Sequence, residues 1–203
     1  MNNTSITRSY VLGLGSGNIW LISVCLVFSI LDMINITTNP VTMFLSILGV
    51  LLISGGLLFL CIKILRQGYT LPKTNKGGIS RTGRRIFFLL ILLEIIGWSI
   101  LNAVLGLHNL QVWIVPTDLF IVGAHFIPLA FVFRVPAYLV MGCLWLVAIV
   151  ACMLLFPSTL IIGHVSAWFT LPSLCCVIIT WVTSLYLLTD TGKSLRKTVS
   201  LLV

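Results

Sequence analysis

The sequence predicts an all-α fold, a bundle of six transmembrane helices forming one domain over residues 1–203. Three observations carry this. Hydrophobic residues make up 59% of the chain and charged residues 8%, with mean hydropathy +1.18; a soluble domain carries about a quarter charged residues. The apolar residues fall into six runs, each long enough to cross a hydrocarbon core of ~30 Å. All twelve Lys and Arg flank one set of alternate links between those runs, and the other links have none, which is the signature of basic loops held on the cytoplasmic side.

The elements follow in order. Residues 1–17 are small and polar, and Gly13-Leu-Gly-Ser-Gly17 reads as a flexible lead-in. It follows no strand and lacks the Lys and hydroxyl of a phosphate loop. Span one covers about 18–36, has no small-x-small cleavage site after it, and is read as retained. Pro40 turns the chain into span two, about 41–65, where Gly49, Ser54, Gly55 and Gly56 are expected to let helices approach closely. Residues 66–85 form the long basic loop, broken by Gly68, Pro72, Gly77, Gly78 and Gly83. Span three covers about 86–106, with Glu94 near its centre. Span four covers about 116–134; Pro116 suits its first turn, and Asp118 is expected to complement the helix dipole there. Spans five and six cover about 137–156 and 160–188, joined by Pro157-Ser-Thr159, and a basic tail follows. The charge pattern predicts both termini on the cytoplasmic side.

The net charge of +8 would suggest nucleic acid in a soluble protein. Here the topology rule accounts for it, and no nucleic-acid partner is expected. The lipid bilayer is the expected partner, with anionic headgroups against the basic loop. Six cysteines, Cys25, Cys61, Cys143, Cys152, Cys175 and Cys176, all fall inside apolar runs and read as small buried hydrophobes. No Cys-x-x-Cys spacing suggests a metal or redox site. The two halves show no internal repeat of the inverted-transporter kind.

Chemistry concentrates at mid-depth. Glu94 and His125 each lie about nine residues inside the spans read above, roughly 13 Å deep at 1.5 Å per residue. An ionised side chain there costs at least about 2.5 kcal/mol unless it is paired or hydrated. The two are therefore expected to meet inside the bundle, as a proton- or ligand-handling pair or as a structural clamp. Trp98 and Asn102 follow Glu94 at one and two turns, extending a polar and aromatic stripe. Pro128 and Pro172 each remove a helical hydrogen bond. Read at matching depth beside His125, they suggest a cavity near the midplane, or simply the helix shaping common in membranes. Near the opposite surface stand Asp32, His108, Asp118 and His164. Imidazole and carboxylate together can ligate a metal, though no two of these have a zinc-motif spacing. The plainer reading is interfacial side chains meeting water and headgroups. No cofactor is expected beyond such a metal.

Ile121-Val-Gly-Ala-His-Phe-Ile-Pro-Leu-Ala130, followed by Phe133-Arg-Val-Pro-Ala-Tyr138 and Gly142, resembles a stretch shared by small multi-pass bacterial membrane proteins. Ala124 stands where that pattern has Leu, and Phe131 where it has a charged residue. The resemblance implies a bacterial inner-membrane protein and draws attention to His125 and Pro128; it implies no activity. The leading expectation is a small transporter-like or ligand-binding membrane protein built around Glu94, Trp98, Asn102, His125 and Pro128. The alternatives are a metal-dependent enzyme acting on a lipid, and a non-catalytic partner subunit or immunity protein that docks through the basic loop.

Overall fold

A computed structural model describes residues 8–71, 81–133 and 135–200. The chain is an all-α bundle of six helices long and apolar enough to cross a membrane. They are α1 (Arg8–Ile36), α2 (Pro40–Thr70), α3 (Arg81–Leu107), α4 (Ile114–Phe133), α5 (Pro136–Leu155) and α6 (Ala167–Ser200). A single 3₁₀ turn, Gln111–Trp113, leads into α4. Between α5 and α6 lies a small antiparallel hairpin of β1 (Ile161–Ile162) and β2 (Val165–Ser166).

Contacts between helices define two ends. At one end the Arg8 guanidinium sits 5.3 Å from the Tyr69 ring, and Phe87 packs edge-on against Phe133. This end carries the described basic residues, including Lys63, Arg66, Arg85 and Lys193. At the other end Trp113 packs edge-on against Trp168, whose indole N–H donates to the Phe156 carbonyl at 2.8 Å. Tryptophans with one apolar face and one polar bond suit a membrane–water boundary.

Helices α1, α2, α5 and α6 form the body, and α4 packs on α5 and α6. Helix α3 stands outside and packs principally against α4; no residue of its apolar span is fully buried, and Phe87, Leu90 and Trp98 are half-buried against the core. Pro40 occupies the first turn of α2, where a missing N–H leaves nothing unpaired. The Asn39 side chain caps that turn, its Oδ1 accepting from the Val41 and Thr42 amides at 2.9 and 3.4 Å.

Five sequence expectations change. Gly68 and Gly83, expected to break the basic loop, are helical and belong to α2 and α3. The glycine run 13–17 is helical and belongs to α1. A Cβ on Gly15 would lie 2.6 Å from Leu65, so these small residues seat α1 against its neighbours rather than loosening the chain. The glycines expected to serve close approach in span two do not: Gly49, Gly55 and Gly56 face open space. That work falls to Gly142, where a Cβ would meet the Gly123 carbonyl at 2.7 Å and seal α5 onto α4. Residues 161–166 form the hairpin instead of the start of span six. Pro172 therefore lies near the start of α6, whereas Pro128 lies deep in α4, and the two prolines are not at matching depth. Finally, α4 begins at Ile114 and has no acidic residue in its first turn, so Asp118 is too far along to cap it. The centre of the basic loop, residues 72–80 with Lys73 and Lys76, lies outside the described residues.

Candidate functional site

The seam between α3 and α4 is a polar ladder in an otherwise apolar interface. Glu94, Trp98 and Asn102 recur every four residues and share one face of α3; Asp118 and His125, seven apart, share one face of α4. The helices run antiparallel, so Glu94 meets His125 at mid-depth while Trp98 and Asn102 meet Asp118 closer to the hairpin end. His125 Nδ1 stands 3.1 Å from Glu94 Oε2, and each side chain is only 10% exposed. The Trp98 indole N–H donates to the Asp118 backbone carbonyl at 3.4 Å, and the Asn102 amide donates to the Asp118 carboxylate at 3.3 Å. The Asp118 carboxylate lacks a second hydrogen-bond partner at Oδ1.

Each rung has a local cause. Glu94 sits midway along α3, where lipid cannot solvate a carboxyl, so the nearest imidazole is its cheapest partner. The His125 ring also packs edge-on to Phe126 (centroids 6.4 Å), which in turn meets Trp145 edge-on at 5.6 Å. The imidazole is thus held by the aromatic core on one side and by Glu94 on the other. Pro128 follows His125 by three residues inside α4. It leaves the Ala124 carbonyl without its helical donor, next to the imidazole in sequence. An acid and a base at hydrogen-bond distance, away from water, can share or pass a proton, or open to hold a polar ligand.

The other sequence candidates scatter. Asp118 belongs to the ladder. His108 is exposed just past the end of α3. His164 is exposed in the hairpin turn, where its backbone N–H donates to the Asn35 carbonyl at 2.9 Å. Asp32 is fully buried in α1. Among the described residues, no three His, Cys, Asp or Glu side chains come together in a group that could hold a metal ion. Sequence reading missed the pairing of Asp118 with Asn102. The spacing carried the signal: Asn102 lies eight residues beyond Glu94 and Asp118 seven before His125, so antiparallel helices that join one pair also join the other.

Compared with family models, curated proteins and solved structures, the chain matches none.

Proposed function

We propose that this is a small transporter-like or ligand-binding membrane protein whose working group is the Glu94–His125 pair. The observation that carries this reading is an acid and a base 3.1 Å apart at mid-depth, since intramembrane ionisable pairs mark ion, proton and substrate pathways. In this reading Glu94 accepts the proton or cation and His125 is its partner or touches the ligand. Trp98, Asn102 and Pro128 shape the surroundings. The basic end faces the cytoplasm of a bacterial inner membrane, and its Lys and Arg side chains meet anionic headgroups. The test is native mass spectrometry of protein released in mild detergent, with Glu94→Gln and His125→Ala alongside. The expected result is a small molecule or ion retained by the wild type and lost from both variants while they keep their fold. A ligand retained equally by all three would remove the pair from the binding site.

A second reading, a non-catalytic partner subunit, rests on α3, which packs principally against one neighbour and leaves much of its apolar surface exposed, including Phe88, Leu92, Ile96 and Ile100. Neutralising Arg81, Arg84 and Arg85 at the start of α3 would then break an assembly, while Glu94→Gln leaves it intact.

A further inference from the structure

The α1–α6 seam, formed by helices other than those of the α3–α4 ladder, holds a second polar feature. Asp32 is 0% exposed, and neither carboxylate oxygen has a hydrogen-bond partner. On one face of α6 stand Thr170, Ser173, Thr180 and Ser184, all buried and each with a hydroxyl that has no hydrogen-bond partner; Ser173 is the one opposite Asp32. This differs from several hydroxyls elsewhere in the bundle, although Ser54 in α2 is also buried without a partner. Ser23, Ser29, Ser99 and Thr117 each donate to the carbonyl four residues earlier, the ordinary way a helix absorbs a hydroxyl in an apolar setting. The four on α6 decline that bond and leave their oxygens to the seam.

Two pairings fix the register. The Ser173 hydroxyl faces the Asp32 carboxylate and the Thr180 hydroxyl faces the Cys25 thiol, each near enough to interact but outside good hydrogen-bond geometry. Seven residues back along α1 match seven residues on along α6, so the helices run antiparallel with their polar faces in step. Thr170 lies one turn from Ser173 on the same face of α6. Pro172 between them has no N–H, which leaves the Trp168 carbonyl without its helical donor at that end of the helix. Directly above, the hairpin covers the last turn of α1: the Gly163 backbone is so close that a Cβ there would lie 2.6 Å from the Ile36 Cα. The hairpin is tied to α1 by the bond from the His164 N–H to the Asn35 carbonyl, one turn beyond Asp32.

We propose that Asp32, Ser173 and Thr170 form a binding site for a small monovalent cation of the sodium type, closed by the β1–β2 hairpin. The donors are all hard oxygens, the set that alkali and alkaline-earth ions select and that thiolate- or imidazole-seeking metals do not. One carboxylate balances one positive charge. A divalent ion bound through protein oxygens generally draws on more carboxylates, and the other three acidic residues lie elsewhere: Glu94 and Asp118 in the α3–α4 seam, and Asp190 far along α6 from Ser173. The cation provides the counter-charge that no described basic side chain provides, and it gives the hydroxyl oxygens the partner they lack. The site stands apart from Glu94 and His125, so it neither needs nor tests their role.

The experiment is thermal unfolding of the purified full chain in detergent, with sodium chloride replaced stepwise by choline chloride at constant ionic strength. Bound cation stabilises by mass action, and for a chain of this size a site about twentyfold saturated raises the midpoint by roughly 4 °C or more. The rise is expected to saturate with sodium and to vanish in Asp32→Asn, which keeps the shape and removes the charge. Should Asp32→Asn fail to fold, Ser173→Ala and Thr170→Ala serve instead, each shifting half-saturation to higher sodium. Direct binding of radioactive sodium, at about one ion per chain, gives a second readout. Equal midpoints in sodium and choline overturn the proposal, as does a sodium response unchanged in the variants.

Discussion

The rung between Glu94 and His125 lends itself to a quantitative test. In lipid there is no water-exclusion force between helices, so α3 is held to α4 by packing and by polar contacts. The described residues offer three such contacts, at 3.1, 3.3 and 3.4 Å. Interhelical polar contacts in membranes average about 0.6 kcal/mol and reach about 1.7. The shortest rung joins two ionisable groups, so its coupling should exceed that average, at about 1 kcal/mol. The measurement is a double-mutant cycle on reversible unfolding in mixed micelles, with Glu94→Ala, His125→Ala and the double variant. The double variant should be about 1 kcal/mol more stable than the two single losses added together predict, because the second truncation removes nothing further from an already broken pair. The effect should also be local. Amide exchange along α3 should quicken about fivefold, the factor that corresponds to 1 kcal/mol, while exchange in the α1 core stays as it was. Additivity within about 0.3 kcal/mol, or faster exchange spread evenly over the bundle, would refute the view of α3 as a helix fastened by this ladder.

Further outcomes follow from particular contacts. Gly163 has φ +66 and backs onto Ile36. Gly163→Ala should therefore lower stability by at least the roughly 1–2 kcal/mol of a left-handed residue, measured by thermal unfolding, and should loosen the hairpin. Gly142→Ala, which would drive a Cβ to 2.7 Å from the Gly123 carbonyl, should cost about 1–3 kcal/mol by overpacking. Gly55→Ala, with open space around it, should be neutral or slightly stabilising in the same assay. Asn102→Ala removes the hydrogen-bond donor from the Asp118 carboxylate and should cost about 0.6 kcal/mol; a loss above 2 kcal/mol would mean that Asn102 holds more than this rung.

Several features of the site were legible in the sequence because depth is nearly one-dimensional in a membrane. Counting residues from the ends of two apolar runs put Glu94 and His125 at one level, and the cost of a lone charge in lipid made each the other's natural partner. Helical spacing put Trp98 and Asn102 above Glu94. What residue counting does not provide is which helices are neighbours, so Asp118 read as a complement to the helix dipole or a metal ligand when its partner is Asn102. It also gave no warning that Glu94 would sit on an outer helix rather than in the body of the bundle. Where local chemistry competed with hydropathy, hydropathy misled: Ile161, Ile162 and Val165 continue an apolar run, yet Gly163 lets them fold back as a hairpin over α1.

By itself the sequence determined the solvent the protein lives in, the number of its spans and the end at which its charge collects. These depend on composition and on order along one axis. The tertiary structure alone decided which faces meet. It made the run around Gly15 a packing surface and left Gly55 facing outward, and it set Asp32 against the hydroxyls of α6 beneath a hairpin. Lateral arrangement in a bilayer depends on side-chain shape and polar pairing between helices far apart in the chain, and no local pattern encodes it.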